Sequence, residues 1–201
     1  MNKKEKVGIF IDGDNFFDMI QFIRSQDGIA IDILELIRKI SDGRSIEKSM
    51  MLISISPRGR VDSQIHATIM RMRQNGIQVV TITKTSHQEG NVTKYQGYSD
   101  CQLVCEIIRY RNWFDTAIIV TRDGDFRHVA KLLSSSFNKK VEGCGITYGL
   151  SPHFTNCLDR FWNIRFMVKD DENLIYTGFS EDTTEEMPAD EQISIEEDIE
   201  E

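Results

Sequence analysis

Short apolar runs alternate along the chain with segments in which apolar residues recur every three or four positions. The runs predict buried strands, and they lie at 7–11, 50–55, 77–82, 116–121 and, more weakly, around 140–147. The intervening segments predict helices; Phe16, Ile20 and Ile23, for example, share one helix face. Residues at about 84–98 are polar and without a clear period, which predicts a long loop. We therefore expect the α/β class, a doubly wound, mostly parallel sheet of about five or six strands with helices on both faces.

Acidic residues follow two of the predicted strands directly. The first strand ends in IDGDN (11–15) and the fourth in TRDGDF (121–126). Between them a helix opens at Asp100, within YSDCQLVCEII. In a doubly wound sheet, ligands bind outside the carboxyl ends of the strands, where the strand order reverses. If the first and fourth strands are neighbours, we expect four carboxylates to converge at this edge, those of Asp12, Asp100, Asp123 and Asp125.

Two interpretations of these acids are open. Asp14, Asp100 or Asp125 could each simply cap the helix that follows, because Asp is a favoured N-cap residue. One acid would suffice for a cap, however, whereas each of the two strand ends carries Asp-Gly-Asp. Crowded carboxylates repel each other and raise one another's pKa values, and a hard divalent cation removes that repulsion. The joint pattern therefore favours a Mg²⁺ or Mn²⁺ site, while zinc-type His-Cys spacing and a GxxxxGK[ST] phosphate loop are absent from the sequence.

Charge is distributed unevenly along the chain. The net charge is −8, but residues 181–201 hold 11 acidic residues and no Lys or Arg. Residues 1–180 are left with 21 acidic and 24 basic residues, a net charge of +3. We therefore expect a folded domain over 1–180 and an acidic, disordered tail over 181–201. The tail could also compete with a polyanion for a basic groove, or dock a protein partner, and a homodimer is a further alternative.

The cysteines and the apolar runs indicate the cellular compartment in which we expect the protein. The four cysteines form no CxxC pair, which favours reduced structural thiols. No apolar stretch approaches the ~20 residues of a membrane span. The apolar run at 7–11 is too short for a signal peptide, so we expect a cytoplasmic protein that does not enter the membrane.

Four segments, in order, resemble one known family. They are IFIDGDNFF (9–17), SDCQLVCEI (99–107), IIVTRDGDF (118–126) and LSPHFTNCLDRFWNI (150–164). At these residues the chain resembles the NYN domain family, a branch of the PIN-like nuclease superfamily. The resemblance covers about 7–166, so it implies that the expected domain over 1–180 is an NYN domain with a PIN-like fold.

The resemblance also implies roles for individual residues. The metal-binding and catalytic acids fall on the four already named, Asp12, Asp100, Asp123 and Asp125. Asn15 matches an Asn beside the first acid, and Thr121 matches a small hydroxyl residue before the third. Arg122 departs from the usual Gly and would place a cation near the acids as a phosphate contact. Glu106 matches an acid of the family, but six residues after Asp100 it does not share a helix face with it.

The family implies metal-dependent cleavage of RNA, with single-stranded RNA the expected substrate. Paired metal ions would activate water and stabilise the leaving oxygen. The basic residues expected to bind substrate lie in loops after the second and third strands or within the polar segment: Arg58, Arg60, Lys84 and Lys94. Splayed bases could stack on Tyr95 or Tyr98.

Two rival functions remain open. A haloacid-dehalogenase-like phosphatase also carries Asp-x-Asp after its first strand, although Phe16 stands where that class usually has Thr or Val. Its mechanism also does not require Asp100. The other rival is a non-catalytic regulator that binds RNA or protein and retains the acids for structural reasons.

Overall fold

The structure is a computed structural model that describes residues 4–56, 62–89 and 92–177. Its strands are β1 (Lys6–Asp12), β2 (Ser45–Ile55), β3 (Gln78–Thr83), β4 (Thr85–Glu89), β5 (Val92–Gln96), β6 (Thr116–Val120), β7 (Lys140–Gly145) and β8 (Arg160–Asn163). Its α-helices are α1 (Gly13–Asp27), α2 (Ile33–Ser41), α3 (Ser63–Gln74), α4 (Ser99–Arg109), α5 (Arg127–Phe137), α6 (Pro152–Thr155) and α7 (Ile164–Asp170). Short 3₁₀ turns lie at Gly124–Phe126 and Glu172–Leu174. Within these described ranges no helix combines the length and the apolar content that a membrane span requires.

One parallel sheet organises the described part of the chain. Its six strands have the order β3-β2-β1-β6-β7-β8, and every neighbouring pair is parallel. Central β1 pairs with both β2 and β6, so that Ile9 lies between Ser49 and Ile118. The chain runs outwards from β1 to β3, then crosses back and runs outwards again from β6 to β8. The α/β class is confirmed. The first and fourth predicted strands, β1 and β6, are neighbours, which was the condition for the acids that follow them to lie at one edge.

Hydrophobic cores lie on both faces of this sheet. Successive residues of a strand point to opposite faces, so Ile9 and Ile11 join the core under α1, α2, α3 and α7. Phe10, between them, joins the core under α4, α5 and α6. All three side chains are fully buried. A strand that is buried on both faces reads as an unbroken apolar run, which is why 7–11 lacks alternation.

A buried ion pair joins the amino end of β2 to β7. The Arg44 guanidinium donates to both carboxylate oxygens of Glu142, at 2.7 and 2.9 Å. The Trp162 indole Nε1 donates to Oε2 of the same carboxylate at 2.7 Å. Three donors therefore compensate a carboxylate that is almost fully buried.

The prediction of a long loop at about 84–98 is wrong. The segment contains β4 and β5, which pair antiparallel with Thr85 opposite Gln96. Backbone hydrogen bonds define such a ribbon and do not depend on an apolar period, so the hydropathy pattern gave no signal. The dipeptide Gly90-Asn91, of a kind typical of two-residue hairpin turns, was the available sequence signal.

Candidate active site at the carboxyl ends of the central strands

The candidate site lies where β1 and β6 end side by side. Asp12 is the last residue of β1, and Thr121 directly follows β6. Helix α1 begins at once after Asp12 because Gly13 has no side chain: a Cβ there would lie 2.6 Å from the Leu52 carbonyl oxygen of β2. The close approach of α1 to β2 fixes the direction in which the residues after β1 leave the sheet.

Asp12 is the buried acid of the site. Its side chain is almost inaccessible, with the residue 3% exposed. Oδ2 accepts hydrogen bonds from Asn15 Nδ2 at 2.7 Å and from Thr121 Oγ1 at 2.9 Å. Oδ1 accepts only a longer bond, 3.3 Å, from the Asn15 backbone N–H, which makes Asp12 the N-cap of α1. Burial raises the pKa of Asp12, although the hydrogen bonds from Asn15 and Thr121 lower it, so the ionised carboxylate is incompletely compensated.

The Thr121 hydroxyl connects the two strand ends. It is fully buried, and besides donating to Asp12 it accepts a hydrogen bond from the Asp123 backbone N–H at 3.1 Å. Asp123 Oδ1 in turn accepts from the Asp125 backbone N–H at 2.9 Å and caps the turn at Gly124–Phe126. Asp12 and Asp123, which are distant in sequence, are thereby held on either side of one hydroxyl.

Asp125 and Arg122 have different surroundings from Asp123. The Asp125 side chain is 82% exposed, and its Oδ1 lies 3.0 Å from Nη1 of Arg127. The Arg122 guanidinium lies 3.6 Å from the Asp18 carboxylate, on the first turns of α1. Capping is thus performed by the first acid of each Asp-Gly-Asp, Asp12 and Asp123, rather than by Asp14, Asp100 or Asp125.

Asp14 anchors a second network that sequence reasoning missed. Its Oδ2 accepts from the Ser54 backbone N–H at 3.1 Å and from Ser99 Oγ at 2.9 Å. The Ser54 hydroxyl donates to Ser99 Oγ at 2.8 Å, and Lys84 Nζ lies 3.7 Å from Asp14 Oδ1. These contacts hold the start of α4 against the ends of β1 and β2. The only signal in the sequence was the redundancy of the two acids in IDGDN.

Asp100 follows Ser99 and is exposed at the first turn of α4, on the same edge of the sheet. Glu106 lies further along the helix and pairs with Arg109 at 3.7 Å. Tyr98 is exposed beside this edge. Arg58 and Arg60 lie outside the described residues, as do the side chains of Lys94 and Tyr95, so their predicted contacts stay predictions.

The four predicted acids do not form one ready-made set of metal ligands. Among the described residues, no group of three or more His, Cys, Asp or Glu side chains lies close enough to hold a metal ion. The residues nevertheless fit a hard divalent cation by donor type, because they offer carboxylate, hydroxyl and amide oxygens. Asp12 supports this fit further, since a cation would stabilise the ionised form that burial disfavours.

Comparison with known proteins identifies the family. A crystal structure of VPA0982, a protein of unknown function from Vibrio parahaemolyticus RIMD 2210633, is 20% identical with a TM-score of 0.69, covering 88% of this chain and 99% of that one. This likeness shows the fold. A Plasmodium falciparum ferredoxin-NADP⁺ reductase with 2′P-AMP is 12% identical, covering 78% of this chain and 51% of that one, and its TM-score of 0.25 is too low to show a common fold. No curated protein matches the sequence at a significant level. The sequence model of the NYN domain matches residues 6–165, and the chain therefore belongs to the NYN domain family, within the PIN-like nuclease superfamily.

Proposed function

We propose that this protein is a divalent-metal-dependent endoribonuclease that cleaves single-stranded RNA at the carboxyl edge of β1 and β6. The observation that carries the proposal is the buried Thr121 hydroxyl, which donates to the Asp12 carboxylate at the end of β1 and accepts from the Asp123 backbone N–H after β6. Family membership supports the reaction class, because NYN domains belong to PIN-like nucleases. The strand order supports the location, because the order reverses between β1 and β6, and ligands of doubly wound sheets bind at that point.

Each acid has a proposed role that follows from its surroundings. Asp12 and Asp123, with the exposed carboxylate of Asp100 on the same edge, would hold Mg²⁺ or Mn²⁺. Asn15 and Thr121 orient Asp12, since both donate to its Oδ2 and leave Oδ1 less occupied. When bound, the ion would polarise the phosphoryl oxygens and supply a water nucleophile near neutral pH.

Asp125 has the weakest claim to a direct role. It is exposed and paired with Arg127, so we propose that it acts at most in a second site or as a relay once substrate is bound. Asp14 is a positioning residue, because its carboxylate is occupied by Ser54 and Ser99 and by the nearby cation of Lys84.

Basic side chains flank the acids on both sides. Lys84 lies beside Asp14 towards β2 and β3, and Arg122 lies beside Asp18 towards β6 and β7. An RNA strand carries one negative charge per phosphate, so a site built from acids needs such cations to attract it. We propose that Lys84 and Arg122 contact phosphates on opposite sides of the scissile bond, with Arg58, Arg60 and Lys94 extending the basic surface.

The decisive experiment is an RNase assay with purified wild type and two matched Asp→Asn variants. Wild type should cleave single-stranded RNA with Mn²⁺ or Mg²⁺, stop with chelator, and leave 5′-phosphate ends. Asp12→Asn should lose cleavage by at least a hundredfold, a loss of the size expected when a group that stabilises the transition state is removed. Asp42→Asn, which changes an exposed acid paired with Arg160 outside the site, should retain activity.

Other outcomes of the same assay would overturn the proposal. Products that end in 2′,3′-cyclic phosphate would exclude attack by water. Hydrolysis of small phosphate monoesters with RNA untouched would favour a phosphatase. RNA binding without cleavage under any metal condition would favour a non-catalytic regulator.

A further inference from the structure

An exposed aromatic ring stands beside the candidate site in a fixed orientation. Tyr148, in the loop between β7 and α6, is 64% exposed. Its ring stacks on Phe22 of α1, with centroids 4.6 Å apart and planes inclined by only 7°. A ring that is covered on one face and still mostly exposed presents its other face to solvent. Phe22 itself packs against the core, so it provides a firm base for this stack.

Tyr148 lies on the same edge of the sheet as the acids. The end of β7 is close to that of β6, since a Cβ on Gly145 would lie 3.0 Å from the Thr121 carbonyl oxygen. Phe22 lies ten residues after Asp12 along α1, a distance of about 15 Å at 1.5 Å per residue. Tyr148 is therefore near the candidate site but too far from Asp12 to contact the reacting phosphate.

A cation from the neighbouring loop, Arg122 after β6, lies beside the residue that follows Tyr148. Gly149 follows Tyr148 with a φ of +72°, and a Cβ on Gly149 would lie 3.7 Å from the Arg122 guanidinium. The Arg122 guanidinium also lies 3.6 Å from the Asp18 carboxylate, whose side chain is mostly exposed. An open aromatic face, with a guanidinium beside the next residue of the chain, matches the two parts of a nucleotide, because bases stack on aromatic rings and phosphates pair with Arg.

We infer that Tyr148 is a stacking platform for one base of the RNA strand, outside the scissile nucleotide, with Arg122 on the phosphate that leads to it. The inference rests on the proposed function for the presence of an RNA strand at this edge of the sheet, whereas the stacking itself does not require cleavage. The other strongly exposed aromatic rings among the described residues lack this combination. Trp113, for example, is 52% exposed at the opposite edge of the sheet, where it meets Tyr110 edge-to-face.

The test measures affinity separately from cleavage. Fluorescence anisotropy in chelator would follow the binding of a short labelled single-stranded RNA to wild type and to Tyr148→Ala, Tyr148→Phe and Trp113→Ala. Alanine substitution of a stacking ring weakens binding by about 5- to 150-fold, so we expect a loss of about tenfold for Tyr148→Ala. Tyr148→Phe, which keeps the ring, and Trp113→Ala, which removes a ring elsewhere, should stay within about twofold of wild type. Urea unfolding would establish that all variants are folded.

A set of RNAs with one abasic position, moved along the strand, sharpens the test. Wild type should lose affinity at one particular position, and Tyr148→Ala should lose nothing further there, because the base and the ring make the same contact. Equal effects of Tyr148→Ala and Trp113→Ala, additive losses at every abasic position, or no binding of RNA by wild type would each overturn the inference. Coupling between Tyr148 and one base in a protein that cleaves no RNA would instead refute the nuclease proposal and leave the stacking platform intact.

Discussion

Replacing Thr121 with Val tests whether one hydroxyl organises the site. Val has nearly the shape of Thr, so the change removes the hydroxyl with little effect on packing in a fully buried position. Two contacts disappear, the bond to Asp12 Oδ2 at 2.9 Å and the bond from the Asp123 N–H at 3.1 Å. Asp12 keeps its bond from Asn15 Nδ2 at 2.7 Å, so its carboxylate is not left without a donor.

The two losses together set the expected magnitude. A hydrogen bond to a charged group contributes about 1.5–3 kcal/mol, and leaving a buried N–H unpaired costs about 1–3 kcal/mol. Asp123 is partly exposed, so water can reach its N–H, and the cost of leaving that N–H unpaired is at the low end of its range. We expect Thr121→Val to lower the free energy of unfolding by about 3 kcal/mol at pH 7. Thr121→Ser, which keeps the hydroxyl, should lose about 1 kcal/mol through the missing methyl group.

The pH dependence of this effect follows from Asp12. Burial raises the pKa of Asp12 in the folded protein, so ionisation of this carboxyl lowers the free energy of unfolding. The loss is absent below the pKa of the unfolded state, about 3.9, and grows as the pH rises towards the pKa of the folded state. The Thr121 hydroxyl lowers that pKa, and its loss should therefore destabilise the protein more at pH 7 than at pH 4.

Urea unfolding in chelator, followed by circular dichroism between pH 4 and pH 8, measures the stabilities of the three proteins. If the free energies of unfolding of Thr121→Val and Thr121→Ser differ by less than about 0.5 kcal/mol, the range of ordinary surface substitutions, the role assigned to the hydroxyl is refuted. A larger difference that does not change with pH would show that the lost contacts do not act through the Asp12 charge.

Two further predictions concern the metal and the buried ion pair. Millimolar Mn²⁺ should raise the melting temperature of wild type but not of Asp12→Asn, because a ligand that binds only the native state stabilises it by about 2.7 kcal/mol at 100 times its Kd. Differential scanning fluorimetry measures the melting temperatures, and a wild type whose melting temperature does not change with Mn²⁺ would contradict the proposed site. Glu142→Gln should lower the free energy of unfolding in urea by about 3 kcal/mol, since it leaves the Arg44 guanidinium without its buried carboxylate. Asp42→Asn, at an exposed pair, should cost less than about 1 kcal/mol, and equal effects of the two variants would disprove this assignment.

Sequence reasoning located the strand ends but not the orientation of their acids. The runs at 7–11 and 116–121 correspond to β1 and β6, and the acids that follow them lie at the expected edge. Within IDGDN, however, Asp12 turns inwards to Thr121, while Asp14 bonds to Ser54 and Ser99. These partners come from other elements, so no local pattern could assign them. Asp125 differs from them, because its carboxylate pairs with Arg127, only two residues along the chain, instead of joining the other acids.

What the sequence by itself determined is the alternation of helices with the strands β1, β2, β3, β6 and β7, the α/β class and the family, because hydrophobic periodicity and short motifs are local properties of the chain. Only the tertiary structure decided that Thr121 contacts Asp12, which lies 109 positions away in the sequence, and so connects it to Asp123. The same is true of the stacking of Phe22 on Tyr148. Those contacts depend on the order of strands in the sheet, which brings β1 beside β6 and β6 beside β7. The residues around a hydroxyl or an aromatic ring in the sequence do not indicate which distant side chain it contacts. Its role can therefore be assigned only from the sheet, which places the two side chains together.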